Sequence, residues 1–169
     1  MFDIRLALPS TRIEAREWVM EKIPDGSVIV NFDEKLELPE NTKTLTRLSM
    51  YAPARLSVRR LYLIEHPEKI TAPAYFVYNP AFGTYGKGEA ADYLIIFWWN
   101  PEEREPQLER AAELGFSGKT TLVRRFPADA TDDKKNVDLA NNVATLFDLW
   151  LLKQNGPTID IYRVSDVSI

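Results

Sequence analysis

Four arginines gather in one part of this chain: Arg55 and Arg59, one turn apart at helical spacing, Arg60 beside them, and Arg47 on the preceding segment. A guanidinium presents a planar fork of N–H donors that suits phosphate oxygens. The cluster is therefore a candidate site for a lipid phosphate or anionic headgroup; the competing reading is a solvated helix face whose arginines pair with nearby glutamates. Glu102, Glu103 and Glu105 could supply an acid and a base, but they follow Asn100-Pro101, where negative charge suits a helix N-terminus and explains them without catalysis. Asp129, Asp132 and Asp133 could hold calcium, yet the EF-hand spacing is absent and a solvated loop is favoured. Gly83, Gly86, Lys87 and Gly88 superficially suggest a phosphate loop. Such a loop joins a strand to a helix N-terminus, whereas these residues lead through Ala90-Ala91-Asp92 into an apolar strand, so they read as turn glycines.

The remaining composition excludes more than it offers. There is no cysteine, hence no disulfide, thiolate site or thiol nucleophile, and the single histidine, His66, makes a Ser-His-Asp triad or multi-histidine metal centre improbable. No catalytic residue, metal site or cofactor is expected. A formal charge of −4 argues against nucleic acid as the main partner, because neutralising phosphates needs an excess of Lys and Arg on one face. With 169 residues, 45% hydrophobic and 27% charged, the chain can bury the core of one α/β domain spanning 1–169.

The element around which that domain should form is Tyr93 to Trp99, an apolar run without in/out alternation and too short to cross a bilayer. It predicts a strand covered on both faces. Thr11 with Glu14 has capping-box spacing, and Ala15, Trp18, Val19 and Ile23 give the helix that follows one buried face. Strands are predicted at 27–32, 74–78, 92–99, 120–126 and 158–164, the first four parallel or mostly so. The segment 33–40 reads as a surface loop. Helices are expected around Leu45 to Tyr51 and from 54 to 65, the latter burying Leu56 and Leu63, and then from Pro106, with Leu108, Ala111 and Ala112 inward and a stop at Gly115-Phe116. The architecture expected is three-layered: a central, mostly parallel sheet of about five strands, an antiparallel C-terminal edge strand, and helices on both faces.

Residues 127–143 are polar and too long for an ordinary connection, which predicts a mobile insertion. The helix expected after it, 144–153, is apolar almost all round. Leu146, Phe147, Trp150 and Leu151 are accordingly candidates for contact with a membrane surface or partner, the alternative being that the insertion folds over them.

Two stretches carry a family likeness: Leu8-Pro9-Ser10-Thr11-Arg12 through Ala15-Arg16-Glu17-Trp18 to Ile23-Pro24-Asp25-Gly26-Ser27, and Gly156-Pro157-Thr158-Ile159-Asp160-Ile161-Tyr162-Arg163-Val164, with Ala90-Ala91-Asp92-Tyr93 between them. The layout resembles the soluble C-terminal domain of multi-pass membrane glycosyltransferases of the dolichyl-phosphate-mannose–protein mannosyltransferase and aminoarabinose-transferase kind. The resemblance implies an accessory domain at the extracytoplasmic face, guiding the acceptor or bracing the membrane part, with the transmembrane portion of the parent enzyme, the membrane surface or a lipid-linked sugar as partners. Family members use an acidic residue in an early extracytoplasmic loop, which this chain does not contain, so no catalytic residue carries over. On this reading the domain is excised, Met1 is an added start, and the absent spans explain why no signal peptide is seen. The rival reading is a free-standing α/β enzyme or small-ligand binder using the open carboxyl edge of the sheet.

Overall fold

The computed structural model describes residues 10–86, 89–116, 120–128 and 156–165 of the chain. Helix α1 spans Thr11–Lys22. Its N-cap is Ser10, whose hydroxyl accepts from the Arg12 N–H, so the capping box expected at Thr11 and Glu14 is corrected. Thr11 is instead fully buried and donates its hydroxyl to the Pro157 carbonyl at 2.7 Å. Ala15, Val19 and Ile23 form the buried stripe that their spacing predicts, with Trp18 packed against it.

Strand β1 is Val28–Asn31. The segment after it does not stay on the surface: Asp33, Leu36 and Leu38 turn inward. Asn31 makes this possible, because its Nδ2 donates to the Asp33 and Leu36 carbonyls, each at 3.0 Å, and its Oδ1 accepts from the Asp33 N–H. One side-chain amide thereby satisfies backbone groups that could not otherwise leave water. Helix α2, Thr42–Tyr51, is capped by Asn41 and ends before Pro53.

A 3₁₀ turn, Pro53–Arg55, and helix α3, Val58–Glu65, replace the single helix expected from 54 to 65. The split arises at Ser57, whose hydroxyl accepts from the Arg60 N–H and starts a new helix. Helix α3 buries none of its residues completely, and Leu56 and Leu63 are only half-buried. Strand β2 is Phe76–Tyr78. Thr44 of α2 serves its free edge, donating to the Tyr75 carbonyl at 3.1 Å and accepting from the Val77 N–H at 2.7 Å.

Strand β3 is Tyr93–Trp98. After the turn Pro101–Glu103 comes helix α4, Arg104–Ala111, extended to Phe116 by one π turn that closes at Gly115, φ 101°. The helix thus starts ahead of Pro106, and Ala112, expected on the inner face, is exposed while Ala111 is buried. Strands β4, Thr120–Phe126, and β5, Thr158–Val164, complete the sheet.

Among the described residues the sheet has five strands in the order β2-β1-β3-β5-β4, with β1 parallel to β2 and β3, and β5 antiparallel to β3 and β4. It is a mixed α/β sheet whose middle strand is β3. Ile95 joins the core beneath α1 with Ile29 and Ile159, while Leu94, Ile96 and Trp98 join Val30 and Ala111 on the α4 side. Strand β4 runs in the direction of the first three without bonding to them, because β5 lies between β3 and β4.

The C-terminal strand is therefore not the edge. Its alternation of polar and apolar residues looks half-exposed, but Asp160 is 0% exposed and fully partnered. Arg125 holds it with Nε to Oδ1 at 2.7 Å and Nη2 to Oδ2 at 3.0 Å, the Tyr162 hydroxyl donates at 2.9 Å, and Arg104 Nε lies 3.5 Å away. Strand β4 takes the edge instead, with exposed Thr121 and Arg124 and a bulge between Leu122 and Arg124 that discourages further pairing. The expected helix bearing Leu146, Phe147, Trp150 and Leu151 lies outside the described residues, as does the expected insertion beyond Ala128. Among the described residues no helix is long and apolar enough to cross a membrane.

Removing one partner of a buried ion pair leaves an uncompensated charge, so Arg125→Met is expected to lower unfolding free energy by about 3 kcal/mol in urea titration. A loss below about 1 kcal/mol would mean that Asp160 does not depend on this contact. Tyr75, Tyr78, Tyr85 and Tyr162 each have a phenol pushed up to about 12, chiefly by burial. The unfolded chain ionises its tyrosines near 10 and so binds fewer protons than the folded protein above that pH. Stability should hold up to roughly pH 10 and fall as pH rises toward about 12, with tyrosinate absorbance and loss of circular dichroism arriving together.

Candidate functional site

β2 and β3 flank β1 on opposite sides, so the chain leaves β1 in one direction and later returns beyond it. The connections at the carboxyl ends of β1 and β3 then part, which is where open α/β sheets leave a crevice for ligands. A cavity of about 300 Å³ lies there. Phe32 and Asp33 come from the end of β1, Phe97 and Trp99 from β3, and Gln107 and Arg110 from α4.

Arg12, near the start of α1, closes one side. Its Nε donates to Asp33 Oδ2 at 2.7 Å and its Nη2 to Oδ1 at 3.3 Å, while its guanidinium lies 5.6 Å from the centre of the Trp99 ring. Asp33 also accepts from the Lys35 N–H at 3.0 Å. A buried carboxylate with both oxygens engaged orients the loop and is poorly placed to abstract a proton. Arg110 lies 5.8 Å from the Phe32 ring and forms no ion pair among the described residues. Gln107 lines the cavity too, while its Oε1 is shielded from solvent and has no hydrogen-bond partner among the described residues. Aromatic rings, Arg110 and the Gln107 amide thus line one cavity.

A larger trough, about 880 Å³, lies at the amino ends of the strands. Its carboxylates already cap strands: Asp25 accepts from the Ala74 N–H and Asp92 from the Val28 N–H, both at 2.7 Å. Among the described residues no group of three or more His, Asp or Glu is placed to hold a metal ion.

Three of the four arginines singled out in the sequence meet glutamates. Arg60 forks onto Glu40 with two bonds of 2.7 Å, a contact that raises its pKa, and donates to the Arg55 carbonyl. Arg55 reaches Glu34 at 3.4 Å and lies over Phe82. Arg47 bonds Glu89 and sits 4.7 Å from the Tyr78 ring. Arg59 is exposed without an ion pair among the described residues, beside a cavity of about 90 Å³ shared with Arg60 and Leu63. The structure thus joins Arg55 and Arg60 directly, but gives Arg47 a separate partner.

Lys87 and Gly88 of the glycine stretch lie outside the described residues. The Gly86 N–H donates to Glu89 Oε1 at 3.1 Å, and although burial acts to raise Glu89, hydrogen bonds from Tyr78 and Arg47 outweigh it and lower its pKa. Glu103 accepts from the Trp99 N–H at 2.8 Å and from Asn100 Nδ2 at 2.9 Å, a turn-stabilising role for one of the clustered glutamates.

The crevice residues escaped the sequence reading because four separate elements supply them and no spacing links them. The available signals were a carboxylate immediately beyond the first core strand and a tryptophan at the end of the apolar run. No family model matches this chain, and no curated protein or solved structure matches it either.

Because its fork is half-buried and bidentate, Arg60→Ala should lower unfolding free energy by about 1 kcal/mol, whereas Arg59→Ala should leave the urea midpoint unchanged. Equal effects would show that the Arg60–Glu40 contact contributes nothing specific.

Proposed function

We propose that this chain is a non-catalytic, small-ligand-binding domain that uses the crevice at the carboxyl ends of β1 and β3. The carrying observation is the convergence of Trp99, Arg110 and Gln107 on one cavity at the switch in strand order. A binding role fits the chemistry present, because Asp33, the buried carboxylate of the site, is held by Arg12 and the Lys35 N–H.

We further propose that the domain acts as an accessory part of a polyprenyl- or dolichyl-phosphate-sugar-dependent membrane glycosyltransferase. In that setting it lies at the extracytoplasmic face against the transmembrane portion of the parent enzyme, guiding the acceptor or bracing the membrane part. The support is the resemblance of residues 8–27 and 156–164, together with the way these two stretches meet. Thr11 Oγ1 donates to the Pro157 carbonyl, and a Cβ at Gly156 would come 2.3 Å from that same Oγ1. The motif residues thus form one structural joint, which accounts for their pattern without a catalytic role.

An NMR-detected screen tests both parts in one experiment. The protein is mixed with a panel of small polar metabolites, a short-chain polyprenyl-phosphate sugar and an acceptor peptide. Amide shifts are expected around Phe32, Trp99 and Gln107, with no new ligand resonances over hours. Shifts confined to the trough at Asp25 and Asp92 would overturn the crevice reading, and product formation above a heat-denatured control would overturn the non-catalytic one.

A further inference from the structure

We infer that the crevice takes a phosphate monoester of a hydroxylated ring compound, an inference that rests on the small-ligand reading above. Among the described residues the charged side chains lining it are Arg12, Asp33, Glu34, Lys35 and Arg110. Arg12 and Asp33 neutralise each other through two hydrogen bonds, and Glu34 is drawn toward Arg55 at 3.4 Å. Lys35 and Arg110 remain, both exposed and neither in an ion pair among the described residues. Among the described residues the crevice therefore presents two cations that no ion pair holds.

A phosphate monoester carries close to two negative charges at neutral pH, and its oxygens accept both from an ammonium point charge and from a guanidinium fork. A monocarboxylate would leave one cation unmatched. Phe97 and Trp99, both half-buried in the lining, offer apolar surface to a ring, and the Gln107 amide, which also lines the crevice, can hydrogen-bond a ring hydroxyl. Inorganic phosphate would use the cations and leave the aromatic surface and Gln107 unpartnered; a neutral ring would do the reverse. A volume of about 300 Å³ is at the lower end for small-molecule sites, which suits a single ring rather than a nucleotide.

Isothermal titration at pH 7.5 in low-salt, phosphate-free buffer separates these cases with a hexose 1-phosphate, the free hexose and inorganic phosphate as probes. The ester should bind at least roughly tenfold more tightly than either other probe, since it alone uses both halves of the site. Lys35→Gln and Arg110→Gln should each weaken the ester about tenfold without changing hexose binding, whereas Trp99→Ala should weaken both ligands. Lowering the pH to about 5.5 should weaken the ester as its second ionisation, near 6, reverses. An unchanged thermal midpoint shows that each variant is folded.

Equal affinity for ester and free hexose, insensitive to Lys35→Gln and Arg110→Gln, would overturn the dianion while leaving the small-ligand reading intact. Equal affinity for ester and inorganic phosphate would overturn the ring. Binding of none of the three, with no crevice shifts in the NMR screen, would remove both readings. Pelleting with phosphatidic-acid vesicles but no heat with the soluble ester would assign the phosphate to a lipid and overturn the free ester.

Discussion

A carboxylate at 0% exposure inside a sheet must be matched where it sits, and Asp160 is matched from three elements. Arg125 reaches it from β4, Tyr162 from β5 itself, and Arg104 from the first turn of α4. The two guanidiniums also lie 5.7 and 5.2 Å from the Trp98 ring on β3. The desolvation cost of the charge is offset only while all these groups keep their places, so one buried residue ties the antiparallel half of the sheet to the helix above it. The effect extends to the candidate site. Gln107 lies one turn beyond Arg104 and Arg110 nearly two, so the anchoring of Arg104 sets where α4 delivers the crevice residues.

Polar side chains do the same kind of positioning elsewhere. Asn31 lets the segment after β1 turn inward and so places Asp33 under Arg12. Thr44 takes up the β2 edge that no described strand covers, and Thr11 fastens α1 to Pro157. Each is a small hydrogen-bonding side chain serving backbone groups that burial would otherwise leave without partners. The crevice is bounded by α1, β1, β3 and α4, of which α1 and the end of β1 are anchored in this way.

The parts of this structure written in local pattern could be read from the sequence. The unbroken run from Tyr93 predicts a strand covered on both faces and in the middle of the sheet, because only burial on two sides accounts for so little alternation. The spacing of Ala15, Val19 and Ile23 predicts the buried face of α1 for a similar reason. Compensated polarity could not be read. Asp160 makes β5 look half-exposed until Arg125 and Arg104 are known to face it, and Asp33 makes a buried loop look like surface until Asn31 and Arg12 are in place. The crevice belongs to the same class, since its residues are adjacent only through the strand order. The arginine cluster was legible in part: Arg55, Arg59 and Arg60 stand out in the sequence, and the alternative of pairing with glutamates is met by Arg60 and Arg55 at Glu40 and Glu34, some twenty residues earlier.

The position of β5 between β3 and β4 bears on how the chain is made. When a ribosome has released everything up to Phe126, β3 still has one side of its hydrogen-bonding ladder open, and β4 has no neighbour in the sheet. The strand that closes both gaps is synthesised last among the described strands. Pairings that span dozens of residues form late, because the loop between the partners must be ordered before any contact rewards it. For that interval the nascent domain exposes an apolar strand edge able to join other chains. Protection by chaperones, or a slow passage through translation near residue 164, would matter more for this topology than for one whose central strands were finished early.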